Sequence, residues 1–462
     1  MKKDPIVARE MLIPFIMVTS LFALWGFAND ITNPLVQAFE DIFLISSFES
    51  GFVQTAFYGG YATMAIPAAI FITRYTYKSG ILMGLLLYAL GAFLFIPAAF
   101  FMQFWLFLIS FYVLTFGLAF LETTANPYIL SIGSPKTATR RLNLAQAFNP
   151  IGSLTGMTVS SVYILNQLEV SKFRAQEMLA HPEYESMHAG IVSEKIRESL
   201  ETLSETNPDV FLQMQSNDLE IIQIPYVAIG LVVSFMFFIF ALKKMPQTTQ
   251  DLDHKLDLKR TFFRLVRNRC YFWGVIAQLF YVGAQIMCWT FIIHYAVENY
   301  KMSAASAQNY NICAMLIFCA SRFIFTYLMK FISPGTMLFA LSVAAIALLF
   351  GVIYLHSMLG LYCLIGVSAC MSIMFPSIYG LALDRVGRDA KLASSGLIFA
   401  IVGGALMPPI QGLIIDANFA CSISSTRLSF YLPMLCFVVI AIYGYFNSKN
   451  ARKLIYAKRN IE

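Results

Sequence analysis

An aspartate sits in the first long apolar run of the chain, in the stretch WGFANDITNP, where Asp30 is flanked by Asn29 and Asn33. A second acid, Glu122, sits in FGLAFLETTANPY. Lipid offers a carboxylate no partner, so such a group is rare in a membrane span and marks an ion path, a proton relay or a ligand contact. No Lys or Arg lies within a helical turn of Glu122, and Asn126 follows at i+4 on the same helical face. Burial disfavours a carboxylate's charged form, so an acid whose exposure changes can take up and release a proton. The bland alternative for Glu122 is a neutral acid holding two helices together. Asp30 has Asn33 at i+3, and Pro34 follows, which kinks the local backbone and leaves carbonyls partly free. Asp30 is therefore a second proton site, a hydroxyl acceptor for a sugar, or an acid near the wet mouth of a cavity.

Three amides recur in RLNLAQAFNP, as Asn143, Gln146 and Asn149 at i, i+3 and i+6. That spacing lays them along one stripe of a continuous helix. Amides both donate and accept, which suits a polyol or a bond between helices. Gln285 and Trp289 stand at i and i+4 in YVGAQIMCW, an amide beside a flat aromatic face. Such a pair fits a sugar, with CH groups on the ring and hydroxyls on the amide, although a Trp in a span also serves as packing or as an interfacial anchor. Arg322, in CASRFIF, is the basic residue clearly inside an apolar run of the second half. It either snorkels to the nearer surface or lines a cavity.

The elements that must position these residues are membrane helices. Of 462 residues, 58% are hydrophobic and only 13% are charged, against about 25% charged in a soluble domain. The net charge of +6 lies in short basic blocks between apolar runs, which reads as topology rather than as a nucleic-acid face. The opening MKKDPIVARE turns apolar without a small-residue cleavage site, so the first apolar run is expected to remain as a helix. All eight Cys fall after residue 269 without a C-x-x-C pair, and the five His are scattered, so no metal site is expected. With no phosphate loop and no nucleophile beside a base, an enzyme is not expected, and no cofactor is.

A spanning helix needs about 20 apolar residues. Twelve candidates read off at about 11–38, 50–73, 80–101, 103–132, 143–166, 221–243, 271–297, 305–330, 336–354, 358–382, 392–415 and 427–447. Between them, 167–220 carries 11 acidic and 4 basic residues, and 243–270 carries 8 basic and 3 acidic. The other basic clusters are Lys136/Arg140/Arg141, Arg385/Arg388/Lys391 and the C-terminal lysines and arginines. With twelve spans these fall on one side with both termini, and that side is cytoplasmic by the positive-inside rule. Arg385, Arg388 and Lys391 then act as topology determinants or as a cytoplasmic gate. Segment 167–220 faces outside as short amphipathic helices. The expected divisions are a six-helix bundle over 11–243, a basic linker over 244–270, a second bundle over 271–447 and a cytoplasmic tail over 448–462.

The halves resemble each other faintly. WGFAN in the first run parallels YVGAQ in the seventh, and ANPYILSIG in the fourth parallels MFPSIYGLAL in the tenth. Matches in a shared order point to a parallel repeat with a substrate cavity between the halves near the midplane.

FALWGFAN, GFVQTAFYGGY, LETTANPY, RLNLAQAFN, AQLFYVGAQIMCW and SIMFPSIY together resemble the sugar:proton symporters of the major facilitator superfamily. The likeness is to the group of L-fucose, glucose/galactose and N-acetylglucosamine transporters, fucose permeases foremost, and runs from about residue 11 to 447. It implies an all-α integral membrane protein with twelve transmembrane helices in two six-helix bundles, a central cavity and alternating access. It also implies proton-coupled uptake of a small neutral sugar, L-fucose in the first place, with the proton as coupling ion. The alternatives are a glucose/galactose or N-acetylglucosamine carrier, coupled or facilitative, and more remotely a membrane sugar sensor. The setting implied is a bacterial cytoplasmic membrane, with the lipid bilayer as partner, no nucleic acid, and a monomer as the working unit. Glu122 falls on the group's fourth-helix acid, tied to proton coupling. Asn33, Asn126, Gln146, Asn149, Gln285, Trp289, Arg322 and Phe375 are expected at the substrate, with Glu122 and Asp30 as the proton-coupling pair. Two positions depart from the fucose permeases. Their first-helix motif reads Asn-x-x-Asp where this chain has Asp30-x-x-Asn33, moving the acid about 4.5 Å along the helix. Phe375 stands where they carry Tyr.

Overall fold

The computed structural model describes residues 5–32, 35–50, 52–186, 189–246, 258–300, 302, 304–355, 357–384, 386–416 and 424–459. Asn33 and Arg385 lie outside the described residues, as does the side chain of Arg388. All the regular elements described are helical. A helix satisfies its own backbone polar groups, which lipid cannot do for it.

Eleven described helices are long and apolar enough to cross a bilayer: Arg9–Thr32, Phe52–Arg74, Tyr77–Phe101, Phe104–Ser131, Pro208–Leu242, Arg269–Tyr300, Ala307–Leu328, Pro334–Tyr354, Leu359–Leu383, Ala390–Ile415 and Ser425–Ser448. The remaining crossing, fifth in chain order, comes in pieces: Ala138–Gln146, Asn149–Thr158 and the π-helical Val159–Leu165. The twelve form two bundles of six. In the first, span one packs on span five, spans two and three pack on span four, and span six packs on span three. In the second, span seven packs on spans ten, eleven and twelve, and span ten packs on eight and nine.

The breaks have a common cause. Proline lacks an N–H, and its ring pushes away the carbonyl four residues back. Pro150, in the first turn of Asn149–Thr158, thereby frees the carbonyl of Gln146. The backbone there tightens to i→i−3 bonds, Ala147 N to Leu144 O at 3.2 Å and Phe148 N to Ala145 O at 3.3 Å. Pro376 does the same to Ser372, splitting span ten into Leu359–Met371 and Met374–Leu383. Pro127 sits inside span four and frees the carbonyl of Thr123 without breaking the helix.

Ile6 and Asn447, towards the two ends of the described chain, lie at one end of the molecule, called here the terminal end. Arg141, fully buried, donates to the carbonyls of Ile129, Leu130 and Ile6 at 2.7, 2.8 and 3.2 Å. Gly380 on span ten faces Thr139. Cys270, opening span seven, reaches the Leu381 carbonyl at 3.6 Å and Asn447 of the last helix at 3.3 Å.

The opposite, distal end carries the acidic segment, with one difference from the sequence expectation. It forms helices Glu169–Ala180 and Ala189–Thr206, but its last part belongs to span six, a single 35-residue helix from Pro208. Hydropathy begins that span at 221 because the first turns are polar; backbone bonding takes no account of polarity. The Asp218 carboxylate accepts from the Glu169 and Val170 amides at 2.6 and 3.0 Å, capping the first of these helices. Arg174 pairs with Asp41 at 3.1 Å, tying the segment to the helix Leu35–Phe43 that follows span one. At the other end of the chain, the last helix runs unbroken from Tyr431 to Arg459, so no structural break marks residue 447.

Candidate functional site

A cavity of about 120 Å³ lies between the bundles. By the same measure one water needs about 10–15 Å³, so the space suits a small polar molecule. Span one contributes Trp25, Asn29 and Asp30, span two Tyr58 and Tyr61, span four Glu122, and span five Gln146, Asn149 and Ser153. From the second bundle come Gln285 and Trp289 of span seven, Phe318 and Arg322 of span eight, and Phe375 of span ten. The similar stretches WGFAN and YVGAQ each deliver an amide, Asn29 and Gln285, to opposite walls.

Both acids are on the first-bundle side. Glu122 is 5% exposed and accepts a hydrogen bond from the Tyr61 hydroxyl at 3.1 Å. Among the described residues no Lys or Arg pairs with it at bonding distance. A carboxyl held by one neutral hydroxyl can gain or lose its proton without breaking an ion pair. Asp30 is 9% exposed, with Tyr58 beside it. Tyr58 and Tyr61, at i and i+3, turn one helical face toward the two acids.

The amides behave differently from one another. Gln146 lines the cavity and donates to the Asn126 side chain at 2.8 Å. Asn126 is fully buried, donates to the Glu122 carbonyl at 3.0 Å, and is not among the lining residues. It stands one layer behind the wall and fixes Gln146. Asn149 lines the cavity and reaches the Phe22 carbonyl at 3.3 Å. Asn143 does not join them, because the break after Gln146 removes the continuous stripe. Its amide instead meets Ser377 of the other bundle at 3.4 Å.

The second-bundle wall is aromatic and cationic. The Trp289 indole donates to Ser368 at 3.2 Å and meets Phe318 edge-on, with centroids 5.0 Å apart. Held on two sides, its remaining surface faces the cavity as a fixed plate. Arg322 is only 3% exposed, so it does not snorkel. Its guanidinium lies 4.6 Å from the Phe318 ring centre and donates to two carbonyls, Gln146 at 2.8 Å and Ser372. Both are carbonyls that a proline has freed, and each closes a helix fragment whose C-terminus carries partial negative charge. One arginine therefore staples a broken helix of one bundle to a broken helix of the other.

This staple is the innermost of several contacts on the terminal side of the cavity. The Ser394 hydroxyl donates to Thr123, the third proline-freed carbonyl, at 3.0 Å. Arg140 donates to the Thr326 carbonyl at 3.1 Å, and Lys391 lies 4.7 Å from the Tyr77 ring centre. Lys391 is 2% exposed, which fits a gate rather than a surface topology signal.

Sequence reading singled out neither Tyr58 nor Tyr61. Their i, i+3 spacing in GFVQTAFYGGY was visible, but nothing local says that this face meets spans one and four. Ser368 and Ser394 were equally silent.

Twelve helices in two bundles around a buried polar cavity define a transporter of the alternating-access kind. Residues 17–169 match the Major Facilitator Superfamily. The L-fucose-proton symporter of Haemophilus influenzae is 50% identical, the alignment covering 95% of this chain and 97% of that one. The L-fucose-proton symporter of Escherichia coli is 35% identical over 97% of this chain and 96% of its own. A solved Major Facilitator Superfamily transporter, FucP in the outward conformation, superposes with a TM-score of 0.82 at 33% identity, covering 95% of this chain and 100% of that one. The chain belongs to the major facilitator superfamily and is a multi-pass membrane transporter.

Proposed function

We propose that this chain takes up L-fucose with a proton across a bacterial cytoplasmic membrane. Supporting this, both similar proteins bear the name L-fucose-proton symporter. The observation that carries the reading is a carboxyl, Glu122, held by a neutral Tyr61 hydroxyl in the same cavity as amides and a fixed indole. The basic terminal end faces the cytoplasm, with both termini, the linker 244–270 and the tail 448–462. The distal segment 167–220 lies outside, as part of the first bundle 11–243, which the linker joins to the second bundle 271–447, and the monomer is the working unit. The cavity lies on the distal side of the Arg322 staple, which fits an outward-facing state.

In the proposed cycle Glu122 takes a proton from the outside. Trp289 stacks on the sugar's CH face, and Gln146, Asn149 and Gln285 meet its hydroxyls. With the acid neutral, closing the distal side buries no unpaired charge; with the acid ionised, closure is opposed. The terminal contacts then open, and sugar and proton leave. Asp30, displaced by one turn from the fucose permeases' position, protonates in parallel or orients the sugar, and Asn33 lies one turn along the same sequence motif. Asn126 supports Gln146, and Phe375 supplies an apolar wall.

External pH in a lightly buffered, de-energised suspension of cells expressing the chain tests this reading. L-fucose is expected to alkalinise the medium, and glucose, galactose and N-acetylglucosamine are expected to do so weakly or not at all. Labelled L-fucose entry without alkalinisation would show an uncoupled carrier.

A further inference from the structure

Tyr379 stands in the second fragment of span ten, one turn beyond the cavity residue Phe375. The two rings stack at 20° with centroids 6.3 Å apart, which fixes the tyrosine. It is fully buried, and its hydroxyl has no partner at hydrogen-bond distance among the described residues. Buried polar groups are bonded almost without exception, so an orphaned one asks for a reason. Around it lie the Ser394 hydroxyl, Tyr77 and Tyr271, and the carboxylate within its electrostatic reach is Glu122 of the first bundle. Ser394 in turn donates to the carbonyl of Thr123, the residue next to Glu122, at 3.0 Å. A contact that holds the terminal side shut therefore sits between the acid's own stretch of helix and the neighbour of this hydroxyl.

We propose that the Tyr379 hydroxyl is how the second bundle senses the charge of Glu122, tightening the terminal contacts while the acid is ionised and releasing them once it is neutral. An unbonded hydroxyl can turn its dipole toward a negative charge, and the attraction is strong in a low-dielectric interior. A neutral carboxyl offers far less. Tyr379 is thus a positioning residue for coupling and does not itself carry the proton. The other groups around Glu122 do not duplicate it. Tyr58 and Tyr61 of span two, Tyr88 of span three and Asp30 of span one belong to the acid's own bundle. On the second-bundle side, Lys391 lies against the Tyr77 ring and Arg322 holds two backbone carbonyls. The role rests on Glu122 exchanging the coupling proton, as proposed above. Closing the distal side over an ionised acid is one obstacle to sugar crossing without a proton; a terminal side held shut by the same charge is a second.

The full-length protein in proteoliposomes tests this, with labelled L-fucose entry and internal pH followed together from mildly acidic to alkaline medium. In the wild type, entry is expected to fall as the medium becomes alkaline, with the proton-to-sugar ratio constant. Tyr379→Phe keeps the ring stack and removes only the hydroxyl. Its entry in alkaline medium is expected to exceed the wild type's about fivefold, the worth of one net hydrogen bond, with the ratio falling below the wild type's. Unchanged alkaline entry and an unchanged ratio in the variant would overturn the role. So would entry lowered by one factor at every pH with the ratio kept, which is what a merely structural hydroxyl gives. Sugar entry without protons in the wild type would overturn the symport reading, and this role with it.

Discussion

The two walls of the cavity are built from different chemistry on related scaffolds. The first bundle supplies both acids, two tyrosine hydroxyls, most of the amides and the Trp25 indole, while the second supplies the Trp289 indole, the phenyl rings and the guanidinium. Each wall is built from helices of a six-helix bundle, so secondary structure does not explain the difference. Under the proposed function, the division separates two tasks that interfere when mixed, proton exchange and sugar stacking. A carboxyl that must exchange its proton cannot sit in a permanent ion pair, and Arg322 spends its charge on backbone carbonyls instead of on Glu122. A stacking plate must be stiff, and Trp289 is held by Ser368 and Phe318 without touching the acids' network.

The largest expected effect breaks the comparison on the first-bundle side. Glu122→Gln keeps the hydrogen bond with Tyr61 but cannot exchange a proton. Accumulation of labelled L-fucose in proteoliposomes under a pH gradient is expected to collapse to simple equilibration, while counterflow of internal for external sugar persists. Intact accumulation by the variant would remove Glu122 from the coupling role and pass it to Asp30.

Next in size is Arg322→Gln, which removes two charge-assisted bonds, each contributing about 1.5–3 kcal/mol. It leaves the Gln146 and Ser372 carbonyls buried without their donor. Terminal-side closure is expected to weaken strongly, read as faster modification of a cysteine placed at Ser377 by a thiol reagent from the terminal side. Arg322→Lys is expected to restore little, because one ammonium cannot span two carbonyls in fork geometry. Trp289→Ala sharpens the comparison from the other wall. Losing a stacked ring worth about 0.5–1.5 kcal/mol weakens apparent sugar affinity roughly tenfold at most, with the proton-to-sugar ratio unchanged. A changed ratio in that variant would show that the walls are not separate.

The two acids and the twelve spans were legible because both signals are local: a charge in an apolar run, and a run of sufficient length. Asp30, Glu122, Gln285, Trp289 and Arg322 could be named from their own neighbours in sequence and now face one cavity. What failed was whatever depended on backbone continuity or on distant partners. The Asn143–Gln146–Asn149 stripe assumed an unbroken helix, yet the Asn149–Pro150 step that interrupts it was in plain view. The start of span six at Pro208 was hidden because hydropathy reports lipid contact and not helix extent. Tyr61 meets Glu122 across 61 residues of sequence, a pairing that only helix packing decides.

The smallest expected effect tests how the walls are joined. Gln146, Ser372 and Thr123 accept from Arg322, Arg322 and Ser394, and each stands four residues before a proline. A carbonyl already bonded within its helix is a poorer acceptor, so these prolines set the strength of contacts they do not touch. Pro150→Ala offers Gln146 an amide four residues on, which competes with Arg322 for its carbonyl. One neutral hydrogen bond is worth about 0.5–1.5 kcal/mol net, so the terminal contacts loosen by a factor of roughly two to ten. Transport from the closed state is expected to quicken modestly, with sugar affinity from the distal side falling by the same factor. Pro67, inside span two, stands four residues after Thr63, whose carbonyl, among the described residues, accepts no bond from the other bundle. Pro67→Ala is therefore the matched control, expected to leave both readouts in place. An equal response from the two substitutions would mean that helix stiffness, and not the freed carbonyl, governs the junction.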